Sequence, residues 1–539
     1  MRHGGKILVD QLKIQGVERV FCVPGESFLA ALDGLYQSGI ETIVGRQEGG
    51  VAMMAEAHGK LTGTPGIAFV TRGPGATSAS AGVHVAFQDS TPMILFIGQV
   101  SSDQRDREAF QEVDYRQMYG SLAKWIAEID RIDRIPEYVS RAFHVSLSGR
   151  QGPVVLSLPE DMLSGEADVL DALPANPAQQ MVCDELIDEV IDRLKKAQSP
   201  FVIIGGSGWS ADAAQNLGVF AAALGLPVGA SFRCQDYLDN RHPNYVGDVG
   251  IAPNPKLAEQ VRNSDCLLVL GARLGEMTSS GYSLFEIPNP KQGLIHIHAD
   301  ADEIGRVYRP EFGLVCCAAD FLARAVNLTE GLSQQSPAMA RMSYEKWQEP
   351  SATPGAVKME QIIHHLSQVL AEDAIITNGA GNYAAWLHRY FCYKSYRSQL
   401  APTSGSMGYG LPAAVAAKLN HPDREVICLA GDGCFQMTMQ EFGTAVQYGV
   451  KIIVIVINNG VYGTIRMHQQ LEYPDRPSGT TMLNPDFAKL ATCYGCTGEV
   501  VTMTEDFEAA FTRAQASETS TIIELRTDPA AISPRTPIA

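Results

Sequence analysis

A carboxylate and a carboxamide, each set in a glycine-bearing turn, are the groups whose types and spacing point most directly to chemistry in this chain. Asp432 sits in Gly431-Asp432-Gly433, and Asn459 sits in Asn458-Asn459-Gly460. Both side chains offer hard oxygen ligands, which suit Mg²⁺ better than zinc. Glycines at a strand end let a ligand's phosphates approach the backbone, and a helix N-terminus that follows favours negative charge. The chemistry read from the residues is a metal-bridged diphosphate. Either turn alone is a common loop; the ordered combination is specific.

The elements that must hold these turns can be read around them. An apolar run at 426–430 reads as a buried parallel strand that ends in the Gly-Asp-Gly turn. Phe435, Met439, Phe442 and Val446 then fall on one face of a predicted helix, which Gly449 stops. A second buried strand, 452–457, delivers Asn458 and Asn459. Parallel strands joined by a helix end on the same edge of their sheet, so Asp432 and Asn459 are expected side by side.

At 539 residues the chain has room for three or four domains, and its 45% hydrophobic content supplies large cores. The formal net charge of −18 argues against nucleic acid or anionic membranes as partners. No apolar run is long enough to span a bilayer, and the opening MRHGGKILVDQL has no secretory apolar region. The eleven cysteines are scattered mainly through apolar segments, the pattern of reduced core thiols in a cytoplasmic protein. Cys493 and Cys496 form a lone CxxC with no second pair to complete a metal site.

Alternating strands and helices predict an α/β fold of three doubly wound parallel-sheet domains. Residues 1–160 form the first, with glycine turns at Pro24-Gly25-Glu26-Ser27, at 45–50 and at 72–75. A stretch rich in Pro, Ala and acidic residues, 160–185, reads as a linker to a second domain, 185–330. Another break, 330–356, precedes the third domain at 356–527. The first and third domains share a β-α-β logic that suggests an old duplication.

Further candidates lie at predicted strand ends. Glu48 follows a strand and precedes Gly49-Gly50 and an apolar helix; it serves either as an acid favouring a helix N-terminus or as a functional carboxylate. Gly379-Ala380-Gly381-Asn382 follows a strand and offers a second glycine turn. In the segment 402–412, the bulky Met407 stands inside a glycine-rich loop beside Gly405, before a helix at 412–419.

Taken together, these segments resemble the thiamine-diphosphate (ThDP) enzyme family, in the family's order of pyrimidine, central and diphosphate domains. The Gly431–Asn459 stretch resembles its diphosphate signature, and RQEGGVAMMAEAHGK its glutamate-bearing segment. The resemblance implies that Glu48 faces a ring nitrogen of the aminopyrimidine, giving acid–base catalysis routed through the cofactor. It also implies that Gly405 and Met407 hold the pyrimidine, with Met407 as a wedge. The diphosphate cradle would comprise Gly379, Ala380, Gly381, Asn382, Gly431, Gly433 and Cys434. Asp432, Asn459 and the carbonyl of Val461 would bind Mg²⁺.

Within the family, GPGATSASAGVHVAFQDSTPMILFIGQV and GPVVLSLPEDM are similar to the acetolactate (acetohydroxyacid) synthases. AFQEVDYRQMYGSLAKW resembles the segment carrying that group's Phe-Gln pair and lysine, here Phe110, Gln111 and Lys124. That resemblance makes Gln111 and Lys124 candidate catalytic residues beside Glu48. Pro24, Gly25, Glu26, Phe110, Tyr462, Met467 and His468 become the candidate substrate pocket. Three features depart from the group: His468 stands where it carries a tryptophan, the PGES turn replaces a smaller one, and Gly379-Ala380-Gly381 replaces Gly-Gln-His.

The central domain carries Gly206-x-Gly208-x-x-Ala211 between a predicted strand and helix, a weak dinucleotide fingerprint by itself. Relatives bind FAD there, or ADP, or nothing. Gly271-Ala272-Arg273 and the stretch 298–305 resemble the flavin-contacting region, whereas 247–255 departs from it.

The implied activity is decarboxylation of a 2-oxo acid, pyruvate first, with carboligation to a second carbonyl in the manner of branched-chain amino acid biosynthesis. The alternative enzyme reading is a ThDP lyase, decarboxylase or carboligase acting on another 2-oxo acid, an acyloin or a dione. A ThDP-binding regulatory protein and a nicotinamide dehydrogenase are the readings from other classes. The resemblance further implies a homodimer or homotetramer, with sites formed between subunits.

Overall fold

A computed structural model of the chain describes residues 1–178, 180–329, 331 and 336–534. Three six-stranded sheets organise it, all of them parallel. In the first, the strands lie in the order Glu41–Val44, Arg19–Cys22, Gly66–Val70, Met93–Gln99, Pro153–Pro159, Trp125–Glu128. In the third the order is Gln399–Leu400, Ile375–Asn378, Val426–Gly431, Ile453–Asn458, Thr521–Arg526, Thr497–Val501. Numbered within each six-stranded sheet, both run 2-1-3-4-6-5, which carries the expected kinship of the two domains down to strand order.

The central sheet differs. Its strands run Tyr245–Asp248, Val228–Ala230, Pro200–Ile204, Cys266–Leu270, Gly293–His298, Phe312–Val315. That is the 3-2-1-4-5-6 order of dinucleotide-binding folds, whose ligand crevice opens where the order reverses, beyond the first and fourth strands.

The central strands of the first and third sheets are continuous apolar runs buried on both faces, as parallel sheets covered by helices require. One core cluster joins the two domains: Met53, Met54 and Ala57 of helix Glu48–Thr62 and Leu411, Ala414 and Val415 of helix Gly410–Asn420 belong to it. Among the described residues, no helix is long and apolar enough to cross a membrane.

Parts of both predicted breaks are structured among the described residues; residues 179, 330 and 332–335 lie outside them. Glu160–Ser164 is helical and Glu166–Ala167 pairs antiparallel with Arg2–His3, so 160–167 complete the first domain. Beyond them the chain stays tied to the first helix, where Arg2 and Gln11 both donate to Asp171. In the second break, helix Ala338–Trp347 packs on the central sheet through Tyr344 and Tyr245, with ring centroids 5.2 Å apart.

The helix predicted after Asp432 is broken. Asp432–Gln436 is a short α-helix, Met439–Glu441 a 3₁₀ turn and Phe442–Gln447 a second α-helix. Thr438 leaves helical geometry at φ −140°, and its hydroxyl donates to the carbonyl of Gly408 at 2.6 Å. The break holds the Met407 loop against this segment.

Candidate active site

The third domain gathers four loops at the C-terminal edge of its sheet. Strand Ile375–Asn378 delivers Gly379–Asn382, and Gln399–Leu400 delivers the loop bearing Gly405 and Met407. Val426–Gly431 delivers Asp432 to Cys434, and Ile453–Asn458 delivers Asn459 to Tyr462. The sheet order reverses between the first and third of these strands, so two of the loops flank a topological switch point.

The expected meeting of the Asp432 and Asn459 turns is present. The Asp432 carboxylate accepts the amide of Gly433 at 2.8 Å on one oxygen and that of Gly460 at 2.8 Å on the other. The second oxygen also accepts from Asn484 Nδ2 at 2.7 Å. Burial raises the Asp432 pKa, and the bonds from Gly433, Gly460 and Asn484 oppose that rise. The Asn459 amide oxygen accepts from the Val461 amide at 3.1 Å, and Val461 pairs with Thr481 in a β-bridge. The Asp432–Gly460 bond thus draws the two turns together; a carboxylate, a carboxamide and a peptide carbonyl drawn from them would make an all-oxygen donor set, the chemistry that fits Mg²⁺ rather than zinc or copper.

The glycines of these turns are closely packed. A Cβ on Gly433 would stand 2.7 Å from the Tyr462 ring, and one on Gly431 would stand 2.9 Å from the ring of Tyr383. At Gly379 a Cβ would collide with the Cys434 sulfur at 2.4 Å. The Cys434 thiol lies between loops: it accepts from the Gly408 amide at 3.2 Å and from the Tyr383 hydroxyl at 3.3 Å. Gly405, at φ 69°, has nothing within 4 Å of an added Cβ. Met407 is half-buried against the third-domain core.

Asn382 donates its side-chain amide to the Met467 sulfur at 3.2 Å and exchanges further bonds with Thr464. This places Met467 on the wall beside the Gly379–Asn382 loop. His468, one residue on, is exposed and lines the adjoining cavity.

The first domain gathers its own set at the matching edge. Helix Glu48–Thr62 begins at Glu48, capped by Gln47, whose side chain accepts from the Gly50 amide at 3.1 Å. A Cβ on Gly75 would lie 3.3 Å from the half-buried Glu48 carboxylate. In the Pro24–Ser27 turn, Ser27 is buried and bonds Thr71 at 2.9 Å, while Pro24 and Glu26 are exposed and Gly25 is half-buried. Gln111 takes a left-handed φ of 65° and packs on Gly73, and Phe110 is 76% exposed.

Lys124 is not part of this set. It precedes strand Trp125–Glu128 and so lies at the opposite, N-terminal edge of the sheet. Its amine donates to the carbonyls of Val145 and Ser148 at 2.6 Å each, capping the end of helix Ile135–Leu147. This corrects its candidacy: one chain cannot bring Lys124 to Glu48 without inverting the strand.

Several site residues carry no signal in the sequence. Arg72, in the turn after Gly66–Val70, pairs with Glu160 just past Pro153–Pro159 and donates to the Phe110 carbonyl at 3.2 Å. A cation and a carboxylate therefore meet at the C-terminal edge of this sheet. Glu441, fully buried, accepts the Arg46 amide at 3.1 Å and fixes the turn before Glu48 to the third domain.

A cavity of about 880 Å³ lies where the three domains meet. It runs from Gly206 and Arg273 of the central domain to Ala380–Asn382 and Thr403–Gly405. Its walls include Asp248 and His388, 3.9 Å apart. Burial pushes Asp248 up to about 7 and His388 down to about 3, so the two do not form a charged bridge at neutral pH. The departing segment 247–255 thus contributes a buried acid to this cavity.

Comparison with known proteins follows the same three-part division. Residues 2–118 match the thiamine pyrophosphate enzyme N-terminal TPP-binding domain, 187–325 its central domain and 379–525 its C-terminal TPP-binding domain. The chain is 30% identical to the acetolactate synthase large subunit of Haemophilus influenzae, over 95% of this chain and 92% of that protein. It is 29% identical to the acetolactate synthase isozyme 2 large subunit of Escherichia coli, over 94% and 92% respectively. The mitochondrial acetolactate synthase catalytic subunit of Saccharomyces cerevisiae is 28% identical, over 97% of this chain and 80% of that protein.

Proposed function

The chain belongs to the thiamine pyrophosphate (thiamine diphosphate) enzyme family, and from that premise we propose that it decarboxylates pyruvate and joins the resulting two-carbon unit to a second 2-oxo acid, as an acetolactate synthase does. The observation that carries the cofactor site is the Asp432 carboxylate accepting the Gly460 amide, which draws both polar turns to one switch-point edge. The substrate assignment is supported by the acetolactate synthase relatives, each matched over most of its length.

When bound, thiamine diphosphate supplies the electron sink that lets a 2-oxo acid lose carbon dioxide. The chain's residues do the rest. Asp432, Asn459 and the Val461 carbonyl would hold Mg²⁺ beside the diphosphate. Gly405 and Met407 would seat the pyrimidine. Glu48 would share a proton with a ring nitrogen, and Gln111 would orient the incoming acid.

The first-domain set is open in one chain: Pro24, Glu26 and Phe110 are exposed and Glu48 is half-buried. A second copy presenting its third-domain loops would cover them, so the proposed working unit is a homodimer or a pair of dimers. The central cavity has the size of a cofactor site. We propose its central-domain end, at Gly206 and Arg273, for a flavin or adenine nucleotide; the visible spectrum of the purified protein tests for the flavin.

The test of function is incubation with thiamine diphosphate, Mg²⁺ and pyruvate while carbon dioxide and products are followed together. Acetolactate formation supports the proposal. Cofactor binding without turnover of pyruvate would favour the second reading, a carboligase or lyase on a different 2-oxo acid, acyloin or dione. The exposed Glu26 and the Met467–His468 wall are the features that favour it.

A further inference from the structure

Arg233 belongs to the central domain, yet its guanidinium bonds to the third domain's cofactor loops. It is 7% exposed and held at a left-handed φ of 62°. One terminal nitrogen donates to the carbonyl of Pro402 and the other to the carbonyl of Gly379 at 2.9 Å. Its Nε has no hydrogen-bond partner among the described residues. Burying a cation on peptide carbonyls is costly unless the arrangement accomplishes something else.

Both carbonyls lie at decisive places. Pro402 also accepts the Gly405 amide at 3.0 Å, closing the turn that presents Gly405. Gly379 opens the loop to Asn382. The same turn is gripped from the first domain, where Asp89 accepts the Thr403 amide at 2.7 Å and Lys60 donates to Ala401 at 3.1 Å. The loop carrying Arg233 is itself docked on the third domain: Asp236 accepts the Ser398 amide at 3.0 Å and Gln235 donates to the His388 carbonyl at 2.8 Å.

We propose that Arg233 is a positioning residue, a central-domain pin that sets the spacing of the Gly379–Asn382 and Pro402–Met407 loops before any cofactor arrives. Its bearing on cofactor binding rests on the reading that these loops hold thiamine diphosphate. A bidentate fork suits the task, because a lysine amine reaches one of two diverging carbonyls and not both.

The test is hydrogen exchange on the cofactor-free protein, with thiamine diphosphate binding followed separately by calorimetry. Arg233→Met is expected to speed exchange about 10-fold in both loops while strand Pro200–Ile204 keeps its protection. The cofactor's Kd is expected to rise about 10-fold in parallel. Arg233→Lys should loosen one loop only, and it carries the test if the methionine variant does not fold. Unchanged exchange in both loops, or exchange that rises equally through the central sheet, overturns the pin. If wild-type protein binds no thiamine diphosphate but the loops still loosen in the variant, the pin stands and the cofactor reading falls.

Discussion

Asn484 offers the sharpest perturbation of the proposed metal site, because it reaches Asp432 from a segment no motif includes. Its amide nitrogen donates to Asp432 at 2.7 Å and to Asn458 at 2.8 Å, and its oxygen accepts from Gln436 at 2.9 Å. Asn484→Ala removes all three bonds. The bond to the carboxylate is charge-assisted, and losing such a bond costs roughly 1.5–3 kcal/mol. The two neutral bonds lie at a partly open position where water can replace them. Residues that orient a metal ligand typically change metal affinity about 10–100-fold, the same range in another unit. The prediction is therefore a rise of about 10–100-fold in the thiamine diphosphate concentration for half-saturation at limiting Mg²⁺, shrinking as Mg²⁺ is raised. The assay is a cofactor titration at several fixed Mg²⁺ concentrations, with thermal unfolding run alongside to confirm an intact fold. A shift below about threefold in a well-folded variant would refute the claim that Asn484 orients Asp432 for a metal.

Three further outcomes follow. Glu48→Gln should leave thiamine diphosphate affinity within about threefold of wild type while turnover falls at least about 100-fold; full activity would remove Glu48 from the acid–base role. Asp248 has a folded-state pKa raised to about 7 by burial, above its unfolded value, so its contribution to stability is present at low pH and is lost as pH rises through 7. Asp248→Asn should therefore gain on wild type by about 2–3 kcal/mol between pH 5 and pH 8, read from paired unfolding curves, and parallel curves would contradict the burial argument. Gly433→Ala would press a methyl group to 2.7 Å from the Tyr462 ring, so it should destabilise by about 1–3 kcal/mol; an unchanged melting temperature would show that the ring yields freely.

The parts legible in the sequence are those that local pattern controls. Buried parallel strands such as Val426–Gly431 and Ile453–Asn458 announce themselves as apolar runs, and turns at their ends follow because parallel strands share an edge. The two-residue edge strand Gln399–Leu400 and the four-residue Trp125–Glu128 are too short to leave a period. Lys124 became a candidate through the resemblance of its segment, and the second of these strands places it at the opposite edge of the sheet. The helix after Asp432 is apolar on one face throughout, yet it breaks at Thr438, whose bond to the Gly408 carbonyl is a long-range contact that local periodicity does not encode. Asn484, Glu441 and the Arg72–Glu160 pair were hidden for the same reason: each acts across loops far apart in the chain.

The central claim is that one carboxylate and its neighbouring oxygens hold a diphosphate through Mg²⁺. The most direct measurement is calorimetric titration of thiamine diphosphate into metal-stripped protein, with and without Mg²⁺, for wild type and Asp432→Ala. The account predicts saturable binding of one cofactor per chain that requires Mg²⁺ and weakens at least about 100-fold in the variant, as expected when a buried charged ligand is lost. Binding that is equally tight in a chelator, or that survives in Asp432→Ala, would contradict it.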